Sequence, residues 1–246
     1  MTAAADPNAW RLATVRSVVR ETIRAVTVRF DVPGWPGHLA GQRIDVRLTA
    51  EDGYSAVRAY SMSSPPGSPT VDVTVERVPD GEVSPFFVEE VRAGDEIEVR
   101  GPIGGAFTWT PAQGGPILLV GGGSGIVPLM AMVRAHAAAG DDADVRLALS
   151  ARTIEDVIFA EELRELGETG TIRLLETLTR GAPPWWHGAT GRVDLDMLSA
   201  FAPSPADEPT IYICGPEGFV ETVVAILLTI GHDPAAIRTE RFGLNG

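Results

Sequence analysis

The feature that most limits what this chain can fold into is a change of hydrophobic period near its middle. Before residue 110, apolar and polar residues alternate along Arg11–Val19, Ile23–Phe30, Ile44–Leu48, Ala56–Ser61, Val71–Val78 and Glu96–Arg100. A period of two marks half-buried antiparallel strands. Turn signals separate them: Pro33-Gly-Trp-Pro-Gly37, Glu51-Asp-Gly53, Ser63 to Pro69 and Pro79-Asp-Gly81. Ser84-Pro85 is expected to open a short helix, Phe86–Arg92, with the serine as N-cap and the proline at the first helical position. Six short strands with one helix predict a small antiparallel Greek-key barrel.

Thr110-Pro-Ala-Gln-Gly-Gly-Pro116 then interrupts the pattern, and its proline and glycine content marks a linker. Beyond it, expected strands at 117–120, 144–149, 171–177, 210–213 and 236–241 interleave with expected helices at 126–139, 155–166, 194–200 and 217–230. That alternation predicts an α/β doubly wound parallel sheet. The chain therefore reads as two domains, residues 8–111 and 112–246. A length of 246 residues allows each its own core. No internal repeat is evident.

The second half opens on an apolar strand, Ile117–Val120, that runs into Gly121, Gly122, Gly123, Ser124, Gly125, Ile126, Val127 and Pro128. Glycines let backbone approach a ligand closely, and the free N–H groups of a helix start suit a phosphate. Pro128 stands where the usual dinucleotide fingerprint has a third glycine, so the stretch taken alone also fits a glycine-rich loop without a ligand.

Composition removes several functions. There is one cysteine, Cys214, which excludes a disulfide framework and a cysteine-ligated iron–sulfur cluster within these residues. The four histidines lack metal-ligand spacing, so no metal site is expected. All 20 basic residues are arginine, which rules out a P-loop lysine and Schiff-base chemistry. A net charge of −13 makes nucleic acid an improbable partner. No apolar run is long enough to span a bilayer, and the first residues do not read as a signal peptide, so a cytoplasmic protein without a membrane partner is expected.

Arg58-Ala59-Tyr60-Ser61 closes one barrel strand. Its guanidinium can pair with phosphate, its tyrosine can pack on a flat ring, and its serine can hydrogen-bond a ring nitrogen. A surface arginine beside a core tyrosine is the plain alternative.

Five segments in order, Arg58-Ala-Tyr-Ser61, Gly81-Glu-Val-Ser84, Gly101-Pro-Ile-Gly104, Gly121 to Pro128 and Cys214-Gly-Pro216, resemble the ferredoxin–NADP reductase superfamily over nearly the whole chain. The chain looks most like the flavin–nicotinamide reductase module of bacterial oxygenase reductases. The resemblance implies an FAD-binding barrel followed by an NAD(P)-binding domain. It implies that Arg58 binds the flavin pyrophosphate, that Tyr60 lies against the isoalloxazine, and that Ser61 hydrogen-bonds near flavin N5. Ala59, Val75, Arg77, Gly81, Val83 and Ser84 complete the implied flavin set. Gly122, Gly123, Ser124, Gly125, Ile126, Pro128, Gly215 and Pro216 would hold the nicotinamide dinucleotide. Cys214 would lie beside nicotinamide C4 and orient hydride transfer without acting as a nucleophile. Glu240 would lie near the reacting atoms and Phe242 would cover the flavin, although Phe242 also fits simple packing at the junction.

An acid about 20 residues after the glycines would favour NADH, whereas arginine accommodates the 2′-phosphate of NADPH. Leu149-Ser150-Ala-Arg152 has no acid, so Ser150 and Arg152, with Arg180 nearby, point to NADPH, with NADH still possible. Arg152 could instead pair with Glu155 or Asp156. Trp185-Trp186 fits a loop cover as well as a functional role. Related reductases often carry a two-iron two-sulfur domain. With one cysteine here, electrons are expected to leave the flavin for a separate acceptor protein, a ferredoxin or an oxygenase component, from a monomer. The alternatives are a flavin or haem reductase using small acceptors, and an FAD-bearing electron-transfer subunit of a larger complex. The subunit of that type in pyrimidine synthesis has a cysteine cluster that this sequence lacks.

Overall fold

The computed structural model describes residues 6–50 and 52–242. Glu51 of the expected Glu51–Gly53 turn lies outside the described residues, as do residues 1–5 and 243–246. The first half contains β1 (Arg11–Arg20), β2 (Ala25–Asp31), β3 (Arg43–Thr49), β4 (Ser55–Ser61), β5 (Val71–Glu76), a short helix α1 (Ser84–Glu89) and β6 (Glu96–Ile103). The strands pair antiparallel in the order β4-β3-β6-β1-β2-β5. A bridge between Met62 and Val73, with the Ser63 N–H donating to the Asp72 carbonyl at 2.8 Å, joins the two edge strands. The sheet thereby closes on itself and leaves no open edge there. Alternate residues such as Val28, Phe30, Ile44, Val46, Val73 and Val99 point inward and are buried.

The helix α1 plugs the barrel. Phe87 meets Phe30 edge-on at 6.5 Å between centroids and Tyr60 at 5.6 Å. The helix starts earlier than the sequence suggested, and its N-cap is Val83 rather than Ser84. Ser84 is buried, and its hydroxyl accepts the Val78 N–H at 3.0 Å. The hydroxyl therefore closes the preceding turn instead of capping the helix.

The second half contains β7 (Ile117–Gly122), α2 (Ile126–Ala139), β8 (Val145–Ala151), α3 (Ala160–Glu168), β9 (Arg173–Leu178), β10 (Ala189–Thr190), α4 (Leu195–Phe201), β11 (Thr210–Pro216), α5 (Glu217–Ile230) and β12 (Ile237–Phe242). All pairings are parallel, in the order β10-β9-β8-β7-β11-β12. Both faces are covered. Leu119, Leu147 and Tyr212 pack on the α2 and α3 side, while Leu118, Ile211 and Ile213 pack on the α4 and α5 side. Two details depart from the expected elements. The short edge strand β10 was not foreseen. Residue 155 begins no α-helix: it lies in a 3-10 turn, Ile154–Asp156, and Phe159 at φ 63° precedes α3.

The halves are tied together. The Tyr212 hydroxyl donates to the Thr108 carbonyl at 2.7 Å, and its ring stands perpendicular to Phe107 at 5.2 Å. The Gly123–Gly125 turn, between β7 and α2, packs against β5 of the barrel. Among the described residues no helix is long and apolar enough to cross a membrane, and no three His, Cys, Asp or Glu side chains are grouped as a metal site.

Candidate functional site

Strand order reverses between β7 and β11, and the carboxyl ends of parallel strands at such a point form a ligand crevice. The glycines there serve three physical purposes. Gly125 must be glycine because a Cβ would lie 2.1 Å from the Cys214 carbonyl oxygen. Gly122 and Gly215 must be small because a Cβ on either would meet the Phe219 ring, at 2.8 and 2.7 Å. Gly123 has φ 56° and faces open space, so its backbone is free to approach a ligand. Ser124 beside it is half-exposed. Ile126 begins α2, and Pro128 falls within its first turn, where a missing N–H breaks no helical bond.

Cys214 is buried at the end of β11, opposite Gly121 of β7 on one side and Glu240 of β12 on the other. Burial pushes its thiol up, and the Glu240 carboxylate adds to the effect. Burial likewise pushes Glu240 up, while the Arg43 guanidinium of the barrel opposes the shift. Arg43 is the register partner of Ser61 across β3 and β4. The charge of Arg43, beside Ser61, thus acts across the junction of barrel and sheet on Glu240, the neighbour of Cys214. Pro216 is exposed, and Phe242, its register partner, is half-buried and packs against the same core as Cys214.

On the barrel side, β4 presents Arg58 half-buried, Ala59 exposed, and Tyr60 and Ser61 half-buried. Arg58 is ion-paired with Glu82 in the turn before α1, and Glu82 also accepts from the Tyr54 hydroxyl at 2.8 Å. Burial pushes the Tyr60 phenol up, so the ring stays neutral. Gly81 lets this turn close, since a Cβ there would lie 2.9 Å from the Ser84 hydroxyl. Val75 and Val83 point their side chains into the barrel core, which leaves only their backbone to face a ligand. Arg77 is turned toward α1, its Nε donating to Glu89 at 2.5 Å.

Ser150, Arg152 and Arg180 gather at the carboxyl ends of β8 and β9. Ser150 is half-buried opposite Gly122. The Arg180 N–H donates to the Arg152 carbonyl at 2.9 Å, which sets the two exposed arginines side by side. Neither takes part in an ion pair among the described residues. Asp156 instead accepts from the Thr153 hydroxyl at 3.1 Å. Trp186 donates its Nε1 to the Ala189 carbonyl at 2.9 Å and packs on the core, whereas Trp185 is exposed.

Sequence reasoning missed Glu82, Tyr54 and Arg43. Glu82 stands inside the Gly81–Ser84 segment and was readable as an acid near Arg58, but nothing local pairs the two. The donor set that results suits a flavin dinucleotide and a nicotinamide dinucleotide: guanidinium, hydroxyl and aromatic ring on β4, and an unobstructed glycine turn at the sheet.

The chain matches the family described as oxidoreductase FAD-binding domain over residues 12–109. It matches the oxidoreductase NAD-binding domain over residues 119–225. It is 32% identical to the glycine betaine monooxygenase reductase subunit of Chromohalobacter salexigens, over 92% of this chain and 62% of that protein. It is 35% identical to ferredoxin–NADP reductase B of Sorangium cellulosum, over 75% of this chain and 76% of that protein. The backbone resembles the flavohem-like FAD/NAD-binding domain of nitric oxide dioxygenase from Vibrio cholerae, with a TM-score of 0.84 at 24% identity over 95% and 98% of the two chains, a likeness of fold alone. The chain spans less than two thirds of the length of the oxygenase reductase subunits it matches.

Proposed function

Since this chain belongs to the ferredoxin–NADP reductase family of FAD- and NAD-binding oxidoreductases, we propose that it takes electrons from NADPH and delivers them through FAD to a separate acceptor protein. The observation that carries this reading is that the barrel motif on β4 and the glycine crevice meet at one junction, where the Gly123–Gly125 turn packs on β5 and the Tyr212 hydroxyl bonds the Thr108 carbonyl. FAD, when bound, supplies the conversion of a two-electron donor into single electrons. The protein supplies proximity and a fixed electrostatic environment.

Residues 8–111 hold the flavin and residues 112–246 the nicotinamide dinucleotide. Arg58 binds pyrophosphate, for which it must leave Glu82; the backbone at Val83 and the Gly81–Ser84 turn contribute donors. Tyr60 packs on the flavin ring, and Ser61 donates to its reactive edge. The Gly122–Gly125 turn receives the dinucleotide phosphates. Cys214, as a neutral thiol, fills the space beside the nicotinamide. Glu240 holds a proton or a charge near the reacting atoms according to pH, and Phe242 covers the ring edge. Arg152 and Arg180, with Ser150, bind the 2′-phosphate and so favour NADPH over NADH. A ferredoxin or an oxygenase component is the acceptor, in keeping with relatives that are a monooxygenase reductase subunit and a ferredoxin–NADP reductase. The protein is taken to be a cytoplasmic monomer.

The purified protein should be yellow and should bleach anaerobically with NADPH. It should also reduce a ferredoxin faster than free flavin. A colourless protein that neither binds FAD nor oxidises NADPH or NADH overturns the reading. Faster reduction of free flavin would leave the flavoprotein assignment standing and remove the protein acceptor.

A further inference from the structure

The helix that begins at the glycine turn carries a second connection to the barrel. Arg134 lies two turns along α2, about 12 Å from Ile126 at the helical rise. Its side chain is largely buried, at 19% exposure. Its Nε and Nη2 donate to the two carboxylate oxygens of Glu162 on α3, at 2.8 and 2.6 Å. Its Nη1 donates to the Ser63 carbonyl at 2.7 Å, across the junction. Its Cζ stands 4.7 Å from the centre of the Phe159 ring, in the residue held at φ 63° just before α3. All three nitrogens are used, and the planar fork suits the bidentate carboxylate.

Ser63 is itself fixed. It is fully buried, and its N–H makes the barrel-closing bond to Asp72. It follows Ser61, the last residue of β4, by two positions. One guanidinium therefore joins the helix that grows from the glycine turn to the strand end that carries Arg58, Tyr60 and Ser61.

We propose that Arg134 is a positioning residue for electron transfer, setting the separation between the nicotinamide cradle and the flavin motif on β4. The proposal rests on the function assigned above. Transfer between two bound rings needs reacting atoms about 3–3.5 Å apart, and a displacement of 1 Å costs on the order of 100-fold in rate. Arg134 touches neither the glycine turn nor β4 directly, so its loss leaves the binding contacts in place and alters their spacing.

The test uses the full chain loaded with FAD, with whichever of NADPH and NADH the wild type oxidises faster. Arg134→Gln should slow anaerobic flavin reduction by about 10- to 100-fold. Its FAD content and its Kd for the oxidised dinucleotide should stay within about threefold of wild type. Arg134→Lys, which still reaches the Ser63 carbonyl, should recover a large part of the rate. In FAD-free protein, Arg134→Gln should also speed hydrogen exchange at Met62–Ser64. If Arg134→Gln does not fold, Glu162→Gln, which frees the fork while keeping its shape, should show a smaller loss of the same kind. An unchanged reduction rate in the folded variant overturns the proposal, as does a Kd that rises as much as the rate falls. Wild-type protein that is not reduced at all fails the functional reading instead.

Discussion

Cys214 and Glu240 are register partners on adjacent parallel strands, β11 and β12, at the carboxyl end of the sheet. Burial makes both harder to ionise, and the Glu240 carboxylate adds to the effect on the Cys214 thiol. Only Arg43, reaching from the barrel, pulls Glu240 back toward a carboxylate. A thiol kept neutral in this way is a poor nucleophile, which agrees with a cysteine that shapes a nicotinamide pocket.

The thiol should therefore be inert in the native protein. Iodoacetamide at about pH 8 should label Cys214 on the order of 100-fold more slowly in folded than in urea-unfolded protein, read by mass spectrometry. Comparable labelling rates would show a thiolate and contradict the assigned environment.

Glu240 should leave a signature in the pH dependence of stability. Its folded pKa is raised, so protonation favours the folded state. The stability it contributes is complete below its ordinary carboxylate value and is lost as pH rises through the folded value. In FAD-free protein, Glu240→Gln should thus melt above wild type at about pH 8, and the gap should close toward pH 5. Arg43→Met should move wild-type behaviour the other way, widening the loss at high pH. A Gln variant whose deficit grows with pH would refute the sign.

The glycine turn separates packing from backbone freedom. Gly125→Ala places a methyl 2.1 Å from a backbone oxygen and should cost at least about 3 kcal/mol. Gly123→Ala meets open space and should cost only the left-handed penalty of about 1–2 kcal/mol. Urea unfolding of the two variants gives the order directly, and the reverse order would contradict the turn geometry.

Arg152 and Arg180 are the residues we propose to read the 2′-phosphate. Each charged hydrogen bond to a phosphate contributes about 1.5–3 kcal/mol. Replacing both by alanine should lower kcat/KM for NADPH by at least about 10-fold while the value for NADH moves less than about threefold. Equal losses with both cofactors would show that the arginines do not read the 2′-phosphate.

Legibility in the sequence followed the range of the forces involved. The six barrel strands were readable because alternation is a property of neighbouring residues, and so was β7 into α2, because an apolar run, glycines and a helix start are contiguous. Ser84 was misread by one position: a hydroxyl next to a helix start looks like a cap until a nearer donor, the Val78 N–H, captures it. The late start of α3 was hidden because nothing about Phe159 announces a left-handed backbone. Trp186 could not be sorted between cover and function until its bond to Ala189 and its packing were visible. The pairing of Arg152 with a following acid, which the sequence left open, is not made, because Asp156 turns to Thr153.

By itself, the sequence determined two sheets of different kinds, a glycine turn at the head of the second and an Arg-Ala-Tyr-Ser run at the end of a barrel strand, since period, glycine and proline act locally. Tertiary structure alone decided which charges meet. Arg58 found Glu82, Arg43 came to bear on Glu240, and Arg134 crossed 71 residues of sequence to the Ser63 carbonyl. Those partners are chosen by how the two halves pack, because a long flexible cation has many acids within reach of its sequence and only the folded surface selects one.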